Sequence, residues 1–72
     1  MAGNYYLNHN QQPNQDYEVH LDGCDFMPLP QNREYLGSFD YCSSAVDEAK
    51  RRHPSWYRIN GCAFCIPSCH TT

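Results

Sequence analysis

The sequence predicts a small α+β domain: an antiparallel sheet of about three strands with one main helix, stapled by one metal site. Three observations predict it. Short segments alternate apolar and polar residues with strand period, a later segment repeats with helix period, and His and Cys residues recur in ligand-like pairs in both halves of the chain. The 72 residues fit one domain over 1–72, with a core spanning about 4–66 and a tail over 67–72. A domain of this size buries too little apolar surface to be comfortably stable without a metal, disulfides or a partner.

The first strand is expected over 4–9 (NYYLNH). The stretch 10–15 is a turn, punctuated by Pro13-Asn14. Residues 16–21 (DYEVHL) alternate: Tyr17, Val19 and Leu21 share one face, and Asp16, Glu18 and His20 the other. The two segments together read as a hairpin with a medium-length loop. Asp22-Gly23 turns the chain. Pro28 and Pro30 make 26–32 an extended or irregular connection. A third strand is expected over 33–39 (REYLGSF). A helix follows, since Cys42, Ala45, Val46 and Ala49 recur at the spacing of one buried face. Asp40, Ser43 or Ser44 can cap its start, and Ser44-x-x-Asp47 fits a loose capping box. Lys50, Arg51, Arg52 and His53 close its last turn, where cations complement the helix dipole, and Pro54 ends it. Residues 56–60 (WYRIN) are a short extended piece. The candidate core is rich in rings, with Tyr5, Leu7, Tyr17, Val19, Leu21, Phe26, Leu29, Tyr35, Leu36, Phe39, Val46, Trp56, Tyr57, Ile59, Phe64 and Ile66 as its apolar members.

The chemistry lies in His20-x3-Cys24 and Cys62-x2-Cys65. A Cys-x2-Cys turn lets two thiolates converge on one metal, and a glycine precedes each pair's cysteine, Gly23 before Cys24 and Gly61 before Cys62. Three sulfurs and one nitrogen in a closed tetrahedron are the pattern of structural Zn2+. Cys69 and His70 are alternative donors for the fourth position, although the spacing favours His20. Bland readings stand beside this one: His20 as an ordinary exposed imidazole on a polar strand face, and the cysteines as small buried hydrophobes. A redox Cys-x-x-Cys lacks its usual βαβ setting. Cys42 belongs to the helix stripe, and a contact between Cys42 and Cys69, reduced or oxidised, stays open.

Composition narrows the partner classes. Formal net charge is −3, and three thiolates on one Zn2+ add about one more negative charge. Such a domain has no global field to draw it to nucleic acid or an anionic membrane. No apolar run approaches a membrane span and no targeting signal is visible, so a cytoplasmic monomer is expected. In that compartment the five cysteines read as ligands or free thiols and not as a disulfide framework. Lys50, Arg51, Arg52 and Arg58, interleaved with Trp56 and Tyr57, are candidate nucleic-acid contacts. The competing reading is a helix end with favourable cations and Trp56 folded onto the core. Asp22 and Asp25 flank Cys24 as acidic turn residues or, less readily, as a carboxylate pair. No catalytic constellation stands out.

The order "EVHLDGC", "NREYLGSF", "SSAVDEAKRR" and "NGCAFC" over about residues 4–66 resembles the zinc-binding N-terminal domain of the Ada DNA-repair methyltransferase and its small relatives. The resemblance implies an α+β fold with one zinc, ligand roles for Cys24, Cys62 and Cys65, and kinship with DNA-acting proteins. In that family the first cysteine of the leading pair accepts a methyl group from a DNA phosphotriester. Here His20 stands at that position, and an imidazole is not the thiolate that this chemistry needs. The expected function is therefore a non-enzymatic structural-zinc module that binds a macromolecule, protein or nucleic acid. The alternative is a thiol-reactive or redox-responsive zinc protein that uses Cys69 or a zinc thiolate.

Overall fold

The computed structural model describes residues 2–13, 15–56 and 58–70. Among them the order is β1 (Gly3–Asn8), β2 (Tyr17–Leu21), a 3-10 turn (Pro30–Asn32), β3 (Arg33–Phe39), α1 (Cys42–Arg52), β4 (Ile59–Gly61) and a second 3-10 turn (Pro67–Cys69). The chain is α+β, with one helix against a four-stranded mixed sheet of order β3-β1-β2-β4.

The expected hairpin forms. Strands β1 and β2 are antiparallel, with Tyr5 opposite Leu21, Tyr6 opposite His20 and Leu7 opposite Val19. Strand β3 joins the other side of β1, also antiparallel, with a register shift between Tyr5 and Tyr6. The WYRIN segment contributes the fourth strand, which a sheet of about three strands did not include. Strand β4 pairs with β2 in parallel, with Tyr17 opposite Ile59 and Val19 opposite Gly61. A parallel pair needs a crossover, and β3 and α1 supply it. The chain leaves β2, passes to one sheet edge at β3, and returns along α1 to the opposite edge at β4.

The helix buries Ala45, Val46 and Ala49, three members of the predicted stripe. Its start differs from expectation. Tyr41 is the N-cap, and no side chain caps the helix, so neither Asp40 nor the serines serve. Lys50, Arg51 and Arg52 do occupy the last turn. The buried core is small: Tyr5, Leu7, Val19, Leu36, Ala45, Val46, Ala49, Ile59, Cys62 and Ile66. Tyr17, Leu21, Phe39 and Trp56 pack on it partly buried. Phe26, Leu29, Tyr35 and Phe64, expected inside, are exposed. Tyr57 lies outside the described residues. With ten buried residues among those described, several of them alanine or cysteine, the apolar core leaves a large share of the stability to cross-links.

Candidate metal centre

Strand β2 lies inside the sheet, between β1 and β4. Asp16 and His20, expected on a polar outer face, are both 1% exposed. His20 therefore projects into a closed space. Beyond it, Asp22-Gly23 reverses the chain, with Gly23 at a φ of 89°, a left-handed value that glycine adopts without steric cost. The Cys24 N–H then donates to Leu21 O at 3.0 Å. From the other side, β4 delivers Cys62, whose N–H donates to Val19 O at 2.9 Å. The following turn closes with the Ile66 N–H on Cys62 O at 3.0 Å and brings Cys65 inward. The parallel β2–β4 pairing is thus what joins two half-sites separated by 38 residues in sequence.

His20, Cys24, Cys62 and Cys65 offer donor atoms that all lie within 4.8 Å of one another, close enough to hold a metal ion. Cys24 Sγ is 3.6 Å from His20 Nδ1 and 3.9 Å from Cys62 Sγ. Cys65 Sγ is 4.0 Å from His20 Nδ1. The Leu21 N–H donates to Cys65 Sγ at 3.4 Å, the kind of backbone contact that offsets thiolate charge. Burial holds the His20 imidazole below its ordinary pKa, hence neutral, as a ligand must be. Burial, then proton sharing with Cys24 and Cys62, pushes the Cys65 thiol up to about 12, against an opposing pull from the Leu21 N–H. Packed there without a cation, the Cys65 thiol resists ionisation, and a bound cation removes that resistance.

The other imidazole nitrogen completes the picture. His20 Nε2 is buried without a hydrogen-bond partner and points towards the Glu18 carboxylate, with Oε1 at 3.7 Å. A carboxylate behind a ligating imidazole orients the ring and raises its basicity. The sequence carried this signal in the alternation that puts Glu18 and His20 on one face, but that face read as solvated.

The alternative donors go elsewhere. Cys69 forms a disulfide with Cys42. That bond overturns the reading of the non-ligand cysteines as free thiols, and it removes Cys69 as a ready nucleophile. It ties the start of α1 to the tail. His70 Nδ1 contacts Gly61 O at 3.0 Å. Gly61 was expected to ease a turn. It lies instead in β4, and what demands glycine is the tail: a Cβ there would meet Cys69 Cβ and O at 2.8 Å.

The candidate nucleic-acid contacts are mostly engaged. Arg51 and Arg52 both bind Glu48, and Arg52 also binds Glu34. Arg58 donates to the buried Asp16 at 2.9 Å. Trp56 stacks on Tyr17 and on His53, with centroids 4.1 and 3.9 Å apart. Lys50 is exposed. Asp22 and Asp25 are exposed turn residues. Beside the cysteines, Phe26 and Phe64 pair at 4.3 Å and line a surface hollow with Gly23, Cys24, Asp25 and Cys65. No family model, curated protein or solved structure matches this chain.

Proposed function

We propose that this chain is a structural-zinc module without catalysis of its own, which presents a surface to a protein partner. The observation that carries the reading is the Cys3His donor set and its spacing. Metal–sulfur bonds of ~2.3 Å and a metal–nitrogen bond of ~2.0–2.1 Å put tetrahedral ligands about 3.5–3.8 Å apart. The S–N separations of 3.6 and 4.0 Å and the S–S separation of 3.9 Å need only slight contraction to meet that. Soft thiolates with one imidazole select zinc among the common divalent ions. Four protein donors leave no open position, which is the structural and not the catalytic pattern. When bound, the ion cross-links β2 to the segment after β4. His20 Nδ1 faces it, Glu18 steadies the ring from behind, and the Leu21 N–H supports Cys65.

A protein partner is favoured over nucleic acid. Two exposed phenyl rings flank the cysteines, whereas three of the four candidate cations are already bound to carboxylates. The likeness to the Ada zinc domain rests on motif order and remains our proposal of kinship, without its methyl-acceptor chemistry. Elemental analysis of untagged protein purified without chelator should find one zinc per chain, with Cys24, Cys62 and Cys65 protected from alkylation. A fully folded, metal-free monomer in strong chelator would sink the reading.

One observation favours a second, redox-responsive reading. Cys65 and the Cys42–Cys69 disulfide line one hollow, so reduction acts beside a metal ligand. Zinc retention should then differ between dithiothreitol-treated and oxidised protein; equal retention removes this reading.

A further inference from the structure

A second group of donors lies apart from the thiols. His9, Glu34 and His53 offer ligand atoms within 4.8 Å of one another, and the sequence reading assigned none of them a joint role. We infer that His9, Glu34 and His53 form a second, solvent-open site for a divalent transition-metal ion with imidazole–carboxylate preference, such as Ni2+, Co2+ or Zn2+.

Three different elements build it. His9 follows β1 and is held by its N–H on Asn32 O at 2.8 Å. Glu34 stands on β3, and His53 ends α1 with its N–H on Ala49 O at 3.1 Å. Both Nε2 atoms converge on the same carboxylate oxygen, Glu34 Oε1, each at 2.8 Å. The second oxygen, Oε2, is taken by Arg52 Nη1 at 2.9 Å. Arg52 is itself anchored on Tyr35 O and Glu48, so the carboxylate is oriented from behind with Oε1 left to the imidazoles. Such support is what fixes a ligating group in place.

The chemistry fits. Two imidazoles and a carboxylate suit zinc, nickel and related ions. Bond lengths of ~2.0–2.2 Å place donors about 3.3 Å apart in a tetrahedron, so the triad opens by about half an ångström to admit the ion. Binding through Nε2 calls for the neutral tautomer that carries its proton on Nδ1. The side chain of His9 is 46% exposed, which gives the ion a path in and leaves its remaining positions to water. No sulfur takes part, so this site is separable from the thiolate site whatever that one holds.

The test uses the single tryptophan. Trp56 stacks on His53 at 3.9 Å and meets the His9 ring edge-on at 5.6 Å, so a paramagnetic ion here quenches its fluorescence. Untagged, zinc-loaded full-length protein is titrated with Ni2+ and with Co2+, while zinc release is followed by a colorimetric indicator. The expected result is saturable quenching by one ion per chain without zinc release. His9→Gln and His53→Gln should each weaken apparent affinity by roughly tenfold or more, at least the cost of losing an outer-shell partner. His70→Gln should leave it unchanged. Circular dichroism establishes that each variant is folded. Quenching that does not saturate, that persists in the His9→Gln/His53→Gln double variant, or that tracks zinc release and sulfur-to-cobalt charge-transfer absorption would overturn the assignment. Failure of the thiolate site instead appears as zinc-free protein at the start of the titration.

Discussion

At His20, burial does what a ligand needs. It keeps the ring neutral, aims Nδ1 at three sulfurs and leaves Nε2 facing Glu18. His70, by contrast, spends its Nδ1 on the Gly61 carbonyl. In a competition titration with a chromogenic chelator, His20→Ala should therefore lose zinc affinity by at least about tenfold, and His70→Ala by far less. The opposite order would move the fourth ligand to the tail. The Cys-x2-Cys pair, the His-x3-Cys pair and the Gly23 turn were legible because each is a local spacing with a local physical cause. The disulfide was not, since Cα separation decides pairing and no spacing reports it. The His9, Glu34 and His53 cluster was equally hidden: three ordinary residues on three elements carry no joint pattern until the fold unites them.

At the scale of elements, the disulfide and β4 fix the tail. Cys42 and Cys69 are 27 residues apart, so losing their bond should cost about 2–4 kcal/mol by relaxing the unfolded chain. The double variant Cys42→Ala/Cys69→Ala should keep its zinc while its chemical denaturation midpoint falls. Loss of the metal would mean that the tail helps to build the site. Gly61→Ala presses a methyl group onto the Cys69 backbone and should destabilise by about 1–3 kcal/mol; an unchanged melting temperature would show that the tail yields. Strand β2 stood out in the sequence through alternation, and helix α1 through the Ala45/Val46/Ala49 stripe. The parallel placement of β4 did not. Three residues carry no usable period, and their partner strand lies some forty positions earlier. The helix start is not legible because Ser43 and Ser44 satisfy a capping pattern that the backbone does not use.

For the whole molecule, charge and protons set the behaviour. Of the five Lys and Arg residues, the candidate phosphate contacts are Lys50, Arg51, Arg52 and Arg58, and three of these are engaged with carboxylates. DNA affinity should thus be weak, with a log–log salt slope no steeper than about −4. Incubation with methyl-phosphotriester DNA should leave the intact mass unchanged; a methyl adduct would refute the argument from His20. On the proposed zinc reading, acid acts first on the metal. Hydrogen bonds from Arg51 and Arg52 hold the Glu48 carboxyl at about 2, below its unfolded value. Its small contribution is complete above pH 4.5 and fades only as pH falls towards 2. Metal binding by thiolates and imidazole competes with protons, so acid would expel a bound zinc ion. Zinc release and unfolding should coincide above pH 4.5, and Glu48→Gln should leave that midpoint unmoved. A midpoint below 4.5 that shifts with Glu48 would reverse the order.

The crossover from β2 through β3 and α1 to β4 also governs how the chain reaches its native state. His20 and Cys24 leave the ribosome before Cys62 and Cys65. The loop between them must close before either half-site profits, and long-range closure slows folding. A nascent chain that stops short of Cys62 holds one strand of the β2–β4 pair and two donors of four, too little to fix an ion. Folding of the β2–β4 pair and of the four-donor cluster therefore waits until Cys62 and Cys65 have been made. Cutting the backbone anywhere between Cys24 and Cys62 and separating the pieces should leave two unfolded peptides.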